Sequence, residues 1–344
     1  MAQSRWKIFT SILITGAILL LAWFNRDFIV EAFGLLREAR PGWIALALVV
    51  ILLSYLVSAQ VFHVVLQSLG YRMNTLRLWA TAIVAIVVSQ SVPAGGVGSY
   101  AFLLSNFTRR GVPSGQAALI ASMETLSYAG AMLIFFLYSL LYLTFNGLGT
   151  GGASYIAAVV AIAVISGAAY LLTRTEQVLQ SWFVGGKRRL ASTLRLHGWG
   201  DEGVKRIIGE LVRGRMLIVS RRRDVALLVL IQITALCGHS LGLMLIFRGL
   251  GVDMNFFTVA AAFGIALITS TFNVLPGGGG TVEAALVAVL TSLGGGAAAI
   301  PAAIIFRMLN FWLITPLAAV GYHWLMHEHV TPLATRQGLS TKLD

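Results

Sequence analysis

The sequence predicts an all-α, polytopic helical membrane protein: about six spans plus two re-entrant broken-helix hairpins, set in two inverted repeats. Three observations lead there. Of the 344 residues, 58% are hydrophobic and only 11% charged, against roughly 25% charged in a soluble domain. Several apolar runs are long enough to cross a bilayer. Two apolar stretches are interrupted by Pro-Gly clusters at matching places in the two halves of the chain.

A helix rises about 1.5 Å per residue, so a hydrocarbon core of about 30 Å needs about 20 apolar residues. Six segments satisfy this with their flanks: 8–24, 43–66, 117–145, 154–172, 225–247 and 297–326. The first follows Arg5 and Lys7 and resembles a signal peptide, but Asn25, Arg26 and Asp27 follow where a small-residue cleavage site would stand. It is read as a retained helix. Residues 78–106 and 256–293 behave differently. One breaks at Pro93-Ala94-Gly95-Gly96-Val97-Gly98, the other at Pro276-Gly277-Gly278-Gly279-Gly280. Proline lacks the N–H that a helix interior uses, and glycine is a weak helix former. Beyond the first break, residues 99–109 reach under about 20 Å, too short to cross. A hairpin that enters and leaves on one side satisfies that length, and irregular backbone at membrane depth must then be covered by protein or line a watery cavity.

Charge predicts the orientation. Arg5, Lys7, Arg72, Arg77, Arg109 and Arg110 lie inside only if the first hairpin returns to its own side. The segment 173–223 is strongly basic and also belongs inside, as do Arg336 and Lys342 near the C-terminus. The net charge of +12 is thus explained by inner loops facing anionic headgroups rather than by nucleic acid. Within the basic loop, Val204, Ile207, Ile208, Leu211 and Val212 recur at helical spacing among Lys205, Arg206, Glu210 and Arg213. This amphipathic helix either lies on the inner leaflet or packs beneath the bundle. The whole of 1–344 reads as one membrane domain, with a first repeat over 8–145, a second over 154–326, and the basic cytoplasmic loop at 174–223. Both termini are expected in the cytoplasm of a cell with this protein in its inner membrane.

The repeat is visible at a shift of 183 residues. Pro93 falls on Pro276, Gly95 on Gly278, Gly96 on Gly279, Leu103 on Leu286 and Gly111 on Gly294. Upstream, Leu69-Gly70-Tyr71-Arg72-Met73-Asn74 matches Leu250-Gly251-Val252-Asp253-Met254-Asn255 at a shift of 181. Each half reads helix, helix, hairpin, helix. Three crossings per half is odd, so the second half enters upside down. Inverted repeats with paired broken helices are a transporter signature, and their breaks point to the transport site.

The same shift places Glu124 on Arg307. Charges at mid-membrane cost a few kcal/mol and face a cavity or a partner. These two either line one central cavity, where they could pair, or form a structural ion pair between the halves. Glu283 stands one turn into the helix after the second break. The helix dipole alone accommodates a carboxylate there; alternatively it meets a headgroup or carries a proton. Free backbone N–H groups in the glycine loops suit an anion such as a lipid phosphate. The candidate site therefore comprises Glu124, Arg307 and Glu283, the first break (Pro93, Gly95, Gly96, Gly98, Ser99), the second (Asn273, Pro276, Gly277, Gly278, Gly279, Gly280), and Asn310. Asn106 is expected to bond between helices, and His63 and His239 lack metal-ligand spacing. The single cysteine, Cys237, excludes an internal disulfide. Neither glycine loop carries the Lys and Ser/Thr of a nucleotide-binding loop. No metal, cofactor or catalytic constellation is expected.

The run Asn273-Val274-Leu275-Pro276-Gly277-Gly278-Gly279-Gly280-Thr281-Val282-Glu283-Ala284-Ala285, with Arg307-Met308-Leu309-Asn310-Phe311-Trp312, resembles the lysylphosphatidylglycerol synthase transmembrane-region family. Ser91-Val92-Pro93-Ala94-Gly95-Gly96-Val97-Gly98, Arg109-Arg110-Gly111 and Glu124 resemble its first-half motif. Similarity extends over about residues 8–325. The resemblance implies a flippase-like membrane domain, which in the best-known members is joined to a soluble aminoacyl-transferase. This chain ends about 20 residues after its last helix, so aminoacyl transfer is not expected. Ser99 stands where the family often has an acidic residue, which argues against cationic headgroup recognition in that half. The leading expectation is a translocase for a phospholipid or lipid-linked glycan, passive or ion-coupled, with Glu124 and Glu283 as proton carriers. Its partners would be those lipids and possibly a separate lipid-modifying enzyme. The alternative is a membrane enzyme or accessory subunit in lipid or glycan synthesis, such as a glycosyltransferase partner. The basic loop, with only Glu176, Asp201, Glu202 and Glu210, shows no acidic metal-binding cluster for such an enzyme.

Overall fold

The computed structural model describes residues 30, 34–91, 95–146, 222–271, 281–327 and 334–335. The expected spans at 8–24 and 154–172, most of the basic loop, and Pro93, Asn273, Pro276 and Gly277–Gly280 lie outside these. The chain divides into two units, Met1–Tyr142 with Leu228–Asp344, and Leu143–Leu227. Of the second, only the last turn of one helix and the first of another are described; the helix packing and the candidate site belong to the first unit.

The described chain is almost entirely helical. The helices are α1 (Pro41–Ser68), α2 (Thr75–Ser91), α3 (Gly95–Arg109), α4 (Ser114–Phe145), α5 (Arg222–Gly249), α6 (Phe256–Thr271), α7 (Thr281–Leu290), α8 (Ala299–Arg307) and α9 (Ile314–His327). A π-helical turn, Met308–Trp312, joins α8 to α9. Two-residue strands, β1 (Tyr71–Arg72) and β2 (Ala334–Thr335), pair antiparallel. Among the described residues, four stretches are long and apolar enough to cross a membrane: Pro41–Ser68, Ser114–Phe145, Arg223–Gly249 and Val282–Met326. α2 and α6 are apolar but shorter. This is the predicted all-α, polytopic membrane class. Large apolar side chains stay exposed along these helices, among them Leu46, Val49 and Leu53 on α1 and Leu313, Leu317 and Val320 at the end of the chain. That surface needs a hydrocarbon solvent rather than water.

Val282–Met326 is not one straight helix. Leu293 and Gly294 leave helical geometry, Gly294 with φ 97°, and Gly296 follows with φ 51°. α7 consequently folds back on α8. The first break is also shorter than the sequence suggests. The helix resumes at Gly95, so Gly95, Gly96 and Gly98 are helical rather than part of an extended loop. Glycine weakens a helix interior by only about 1 kcal/mol, which packing outweighs. The resulting α3 has 15 residues and reaches about 22 Å, still short of a crossing.

The two halves share their local chemistry. α1 ends at Gly70 (φ 83°) and α5 at Gly251 (φ 81°), a left-handed position that only glycine adopts without strain. Five residues later, by the same device, the next helix starts. Asn74 Oδ1 accepts from the Leu76 N–H at 2.9 Å, and Asn255 Oδ1 from the Phe257 N–H at 2.8 Å. Each Asn side chain thereby satisfies an N–H that the first helical turn leaves free.

Close packing sets how the helices run. Gly249 of α5 lies against Trp43 and Ile44, Gly242 against Ala47 and Ile51, and Gly238 against Ser54 of α1. Ser58 Oγ donates to Gln232 Oε1 at 3.0 Å. Rising numbers on α1 meet falling numbers on α5, so these helices are antiparallel. α2 packs on α9, where Gly321 faces Ala80 and Val84. α6 packs on α4, where Gly264 faces Phe135 and Ser139. Each hairpin thus leans on the last helix of the other half. Arg109 Nη2 donates to the Met326 carbonyl at 2.6 Å and Arg110 Nη2 to that of Leu325 at 3.3 Å. They cap the end of α9 with positive charge, where the helix dipole favours it.

Candidate functional site

The turn at Gly294–Gly296 decides the site. Glu283 precedes Gly294 by eleven residues and Arg307 follows Gly296 by eleven. Folding at that turn brings the two level. Arg307 Nε lies 3.0 Å from Glu283 Oε1, with side-chain exposures of 12% and 18%. At the helical rise, Arg307 stands about 12 Å along α8 from its start.

Other elements converge on this pair. Gln90, in the last turn of α2, accepts from Arg307 Nη1 through Oε1 at 3.3 Å. The guanidinium carbon lies 4.4 Å from the centre of the Phe311 ring, which adds cation–π attraction. Asn310 sits in the π turn, a widened turn that disturbs the regular carbonyl ladder. The Tyr55 hydroxyl of α1 reaches both its backbone oxygen (2.8 Å) and its Oδ1 (2.7 Å). Tyr55 is also within electrostatic reach of Arg307 and of Tyr128, and its ring meets His239 of α5 edge-on at 5.0 Å. The ends of both hairpins nearest the breaks, the kinked helix and α1 therefore meet around one guanidinium.

The pair is not saturated. Arg307 Nη2 and Glu283 Oε2 are buried with no hydrogen-bond partner among the described residues. A buried polar atom left unpaired costs about 1–3 kcal/mol, and such atoms in a native structure call for an explanation. One donor of a cation and one acceptor of an anion, side by side, form a site for a group carrying both an anionic oxygen and a proton donor.

Of the sequence-derived candidates, Arg307, Glu283 and Asn310 come together. The Arg307 ion pair runs to Glu283, not to Glu124. The shift of 183 relates the position of Glu124 to that of Arg307 but does not put them in contact; the α7–α8 fold does that for Glu283. Glu124 lies on α4, where Thr125 Oγ1 donates to it at 3.4 Å. It lies within electrostatic reach of Tyr128, which in turn reaches Tyr55. Ser99 is buried and donates back to the Gly96 carbonyl at 3.2 Å, an intrahelical bond of the kind serine makes in helices. Gly95, Gly96 and Gly98 form the opening of α3. Asn106 bonds Thr81 between α2 and α3, as expected. Gln90 and Tyr55 escaped sequence reasoning, although each carried a usable signal, a polar group inside or ending an apolar run; Phe311 stood in the second-half motif without a role read for it. Among the described residues, no cluster of His, Cys, Asp and Glu could hold a metal ion.

The chain is similar to known membrane proteins along most of its length. The family model described as the lysylphosphatidylglycerol synthase TM region matches residues 8–318. A "UPF0104 membrane protein" from Methanothermobacter thermautotrophicus is 20% identical over 303 residues, spanning 83% of this chain and 87% of the relative.

Proposed function

Because this chain belongs to the lysylphosphatidylglycerol synthase transmembrane-region family, we propose that this multi-pass membrane protein moves a phosphate-bearing lipid, a phospholipid or lipid-linked glycan, between leaflets. The observation that carries this is the enclosed Arg307–Glu283 pair, with one atom on each partner unsatisfied among the described residues. A guanidinium offers fixed donors to a phosphate. Held at mid-membrane, it would draw a headgroup off either surface while the acyl chains stay in lipid.

The architecture fits a two-sided mechanism. We read the halves as an inverted repeat, supported by the antiparallel α1 and α5, the paired Gly turns and the paired Asn caps. In such folds, one half rocks against the other around a fixed central site. The end bearing Arg72, Arg77, Arg109 and Arg110 would face the cytoplasm. At the opposite end Arg248 is paired with Asp253 at 3.2 Å, leaving less net positive charge there.

The test is leaflet exchange. The purified chain is reconstituted in liposomes carrying fluorescent anionic or zwitterionic phospholipids, and outer-leaflet label is quenched chemically. The chain should accelerate exchange, and Arg307→Gln should slow it at least about tenfold, the equivalent of one lost charge-assisted hydrogen bond. Equal exchange with and without protein, for both headgroup classes, sinks the proposal.

A further inference from the structure

Charge at the centre of the fold limits what it can accept. Among the described residues, the charged side chains that meet are Arg307 of α8 and Glu283 of α7, which cancel, and Glu124 of α4 is linked to them electrostatically through Tyr128 and Tyr55. Among the described residues, the other titratable groups around them are Tyr55 of α1, His239 of α5 and Tyr128 of α4. α6 presents an apolar ring there, Phe263, tilted against His239 and edge-on to Phe306. An anionic headgroup entering this set would leave at least one uncompensated negative charge at mid-membrane, which costs a few kcal/mol or more. Its phosphate would also compete with the Glu283 carboxylate for the single guanidinium.

We infer that an anionic phosphate group and a proton are taken up together, the proton on Glu283, so that the carboxylate releases Arg307 to the phosphate and the net charge of the site does not change. The inference rests on the translocase reading and deepens it by naming the coupled ion. The geometry suits the exchange. Glu283 holds Arg307 through Oε1, and its Oε2 is buried without a partner among the described residues, an open position for the incoming proton. Arg307 keeps Gln90 and the Phe311 ring when Glu283 lets go, so the guanidinium stays in place with its Nε and Nη2 donors exposed to the ligand. A phosphate beside a carboxylate favours the neutral acid, since like charges oppose ionisation. The balance is simple: one proton enters with one negative charge, and no bond other than the O–H forms. A zwitterionic headgroup brings no net charge and requires no proton.

Isothermal titration calorimetry of the full-length chain in detergent tests this. Dioctanoyl phosphatidylglycerol, dioctanoyl phosphatidylcholine and inorganic phosphate are each titrated in two buffers of different ionisation enthalpy, which counts protons bound per ligand. Phosphatidylglycerol should take up about one proton per lipid, and its affinity should rise as pH falls, approaching tenfold per unit. Phosphatidylcholine should take up none. Glu283→Gln should bind phosphatidylglycerol without proton uptake and with a flat pH profile, and Glu283→Asp should restore the uptake. Phosphatidylglycerol binding to the unaltered chain with no proton uptake overturns the inference and leaves the translocase reading standing, a result that needs no variant. Uptake that persists in Glu283→Gln also overturns it. Absence of binding by both lipids removes the translocase reading and the inference together. Inorganic phosphate matching the phosphatidylglycerol result keeps the coupled uptake but moves its ligand from lipid to free phosphate.

Discussion

Removing Glu283 alone should damage the protein more than removing Glu283 and Arg307 together. Glu283→Leu leaves the largely enclosed Arg307 guanidinium without its counter-charge. Breaking one side of a buried pair costs about 3–5 kcal/mol. Here the lower end applies, because Arg307 retains the 3.3 Å bond to Gln90 and the Phe311 face at 4.4 Å, and a desolvated cation–π contact alone is worth up to about 2 kcal/mol. The expected loss is about 3 kcal/mol. Adding Arg307→Met replaces the pair with apolar side chains of similar reach, a change often neutral or stabilising in buried sites. The double variant should therefore recover at least about 2 kcal/mol. Reversible unfolding in mixed detergent micelles, completed as a double-mutant cycle, measures the coupling. A coupling energy below about 0.5 kcal/mol, or a double variant as unstable as the sum of the singles, would refute the reasoning that the pair is structurally bound at low dielectric.

Two further outcomes come from packing and capping. A Cβ on Gly264 would meet the Phe135 carbonyl oxygen at 2.7 Å, backbone that has no room to give, whereas one on Gly321 would sit 3.5–3.6 Å from Val84 and Ala80, in ordinary contact. Gly264→Ala should lower stability by about 1–3 kcal/mol through overpacking, while Gly321→Ala should be neutral or stabilising by up to about 1 kcal/mol through helix propensity; thermal unfolding of both variants in detergent compares them directly. Asn74→Ala and Asn255→Ala should each cost about 1 kcal/mol, the usual value of an N-cap. Equal shifts in their unfolding midpoints are expected because the two caps have the same geometry, and a cost at one position only would show that the halves do not share it.

The candidate site was only partly legible. Arg307, Glu283 and Asn310 stood out because polar groups in apolar runs are expensive and therefore noticeable. Their arrangement was not. The shift of 183 paired Glu124 with Arg307 because sequence comparison finds equivalent positions, and equivalent positions need not touch. The contact partner of Arg307 is set by the turn at Gly294–Gly296, from which Glu283 and Arg307 are equally distant. The Gly294-Gly295-Gly296 run was visible, but its consequence required treating α7 and α8 as one hairpin. Gln90 belongs to the site because α2 ends beside Arg307, a neighbour 217 residues away.

By itself, the sequence determined the solvent and the local grammar of this protein. Hydrophobic content requires lipid, run length selects helices that span or fall short, and Pro, Gly and Asn mark where helices stop and start. These are properties of adjacent residues, because hydrophobic transfer, backbone sterics and capping act over one or two turns. Only the tertiary structure decided which buried charge meets which, that α3 continues helically through Gly95, Gly96 and Gly98, and that Tyr55 and Gln90 complete the site. Those outcomes depend on the relative placement of helices far apart in the chain, which is set by close packing at positions such as Gly238, Gly242 and Gly264, where a single methyl group changes the distance between helices.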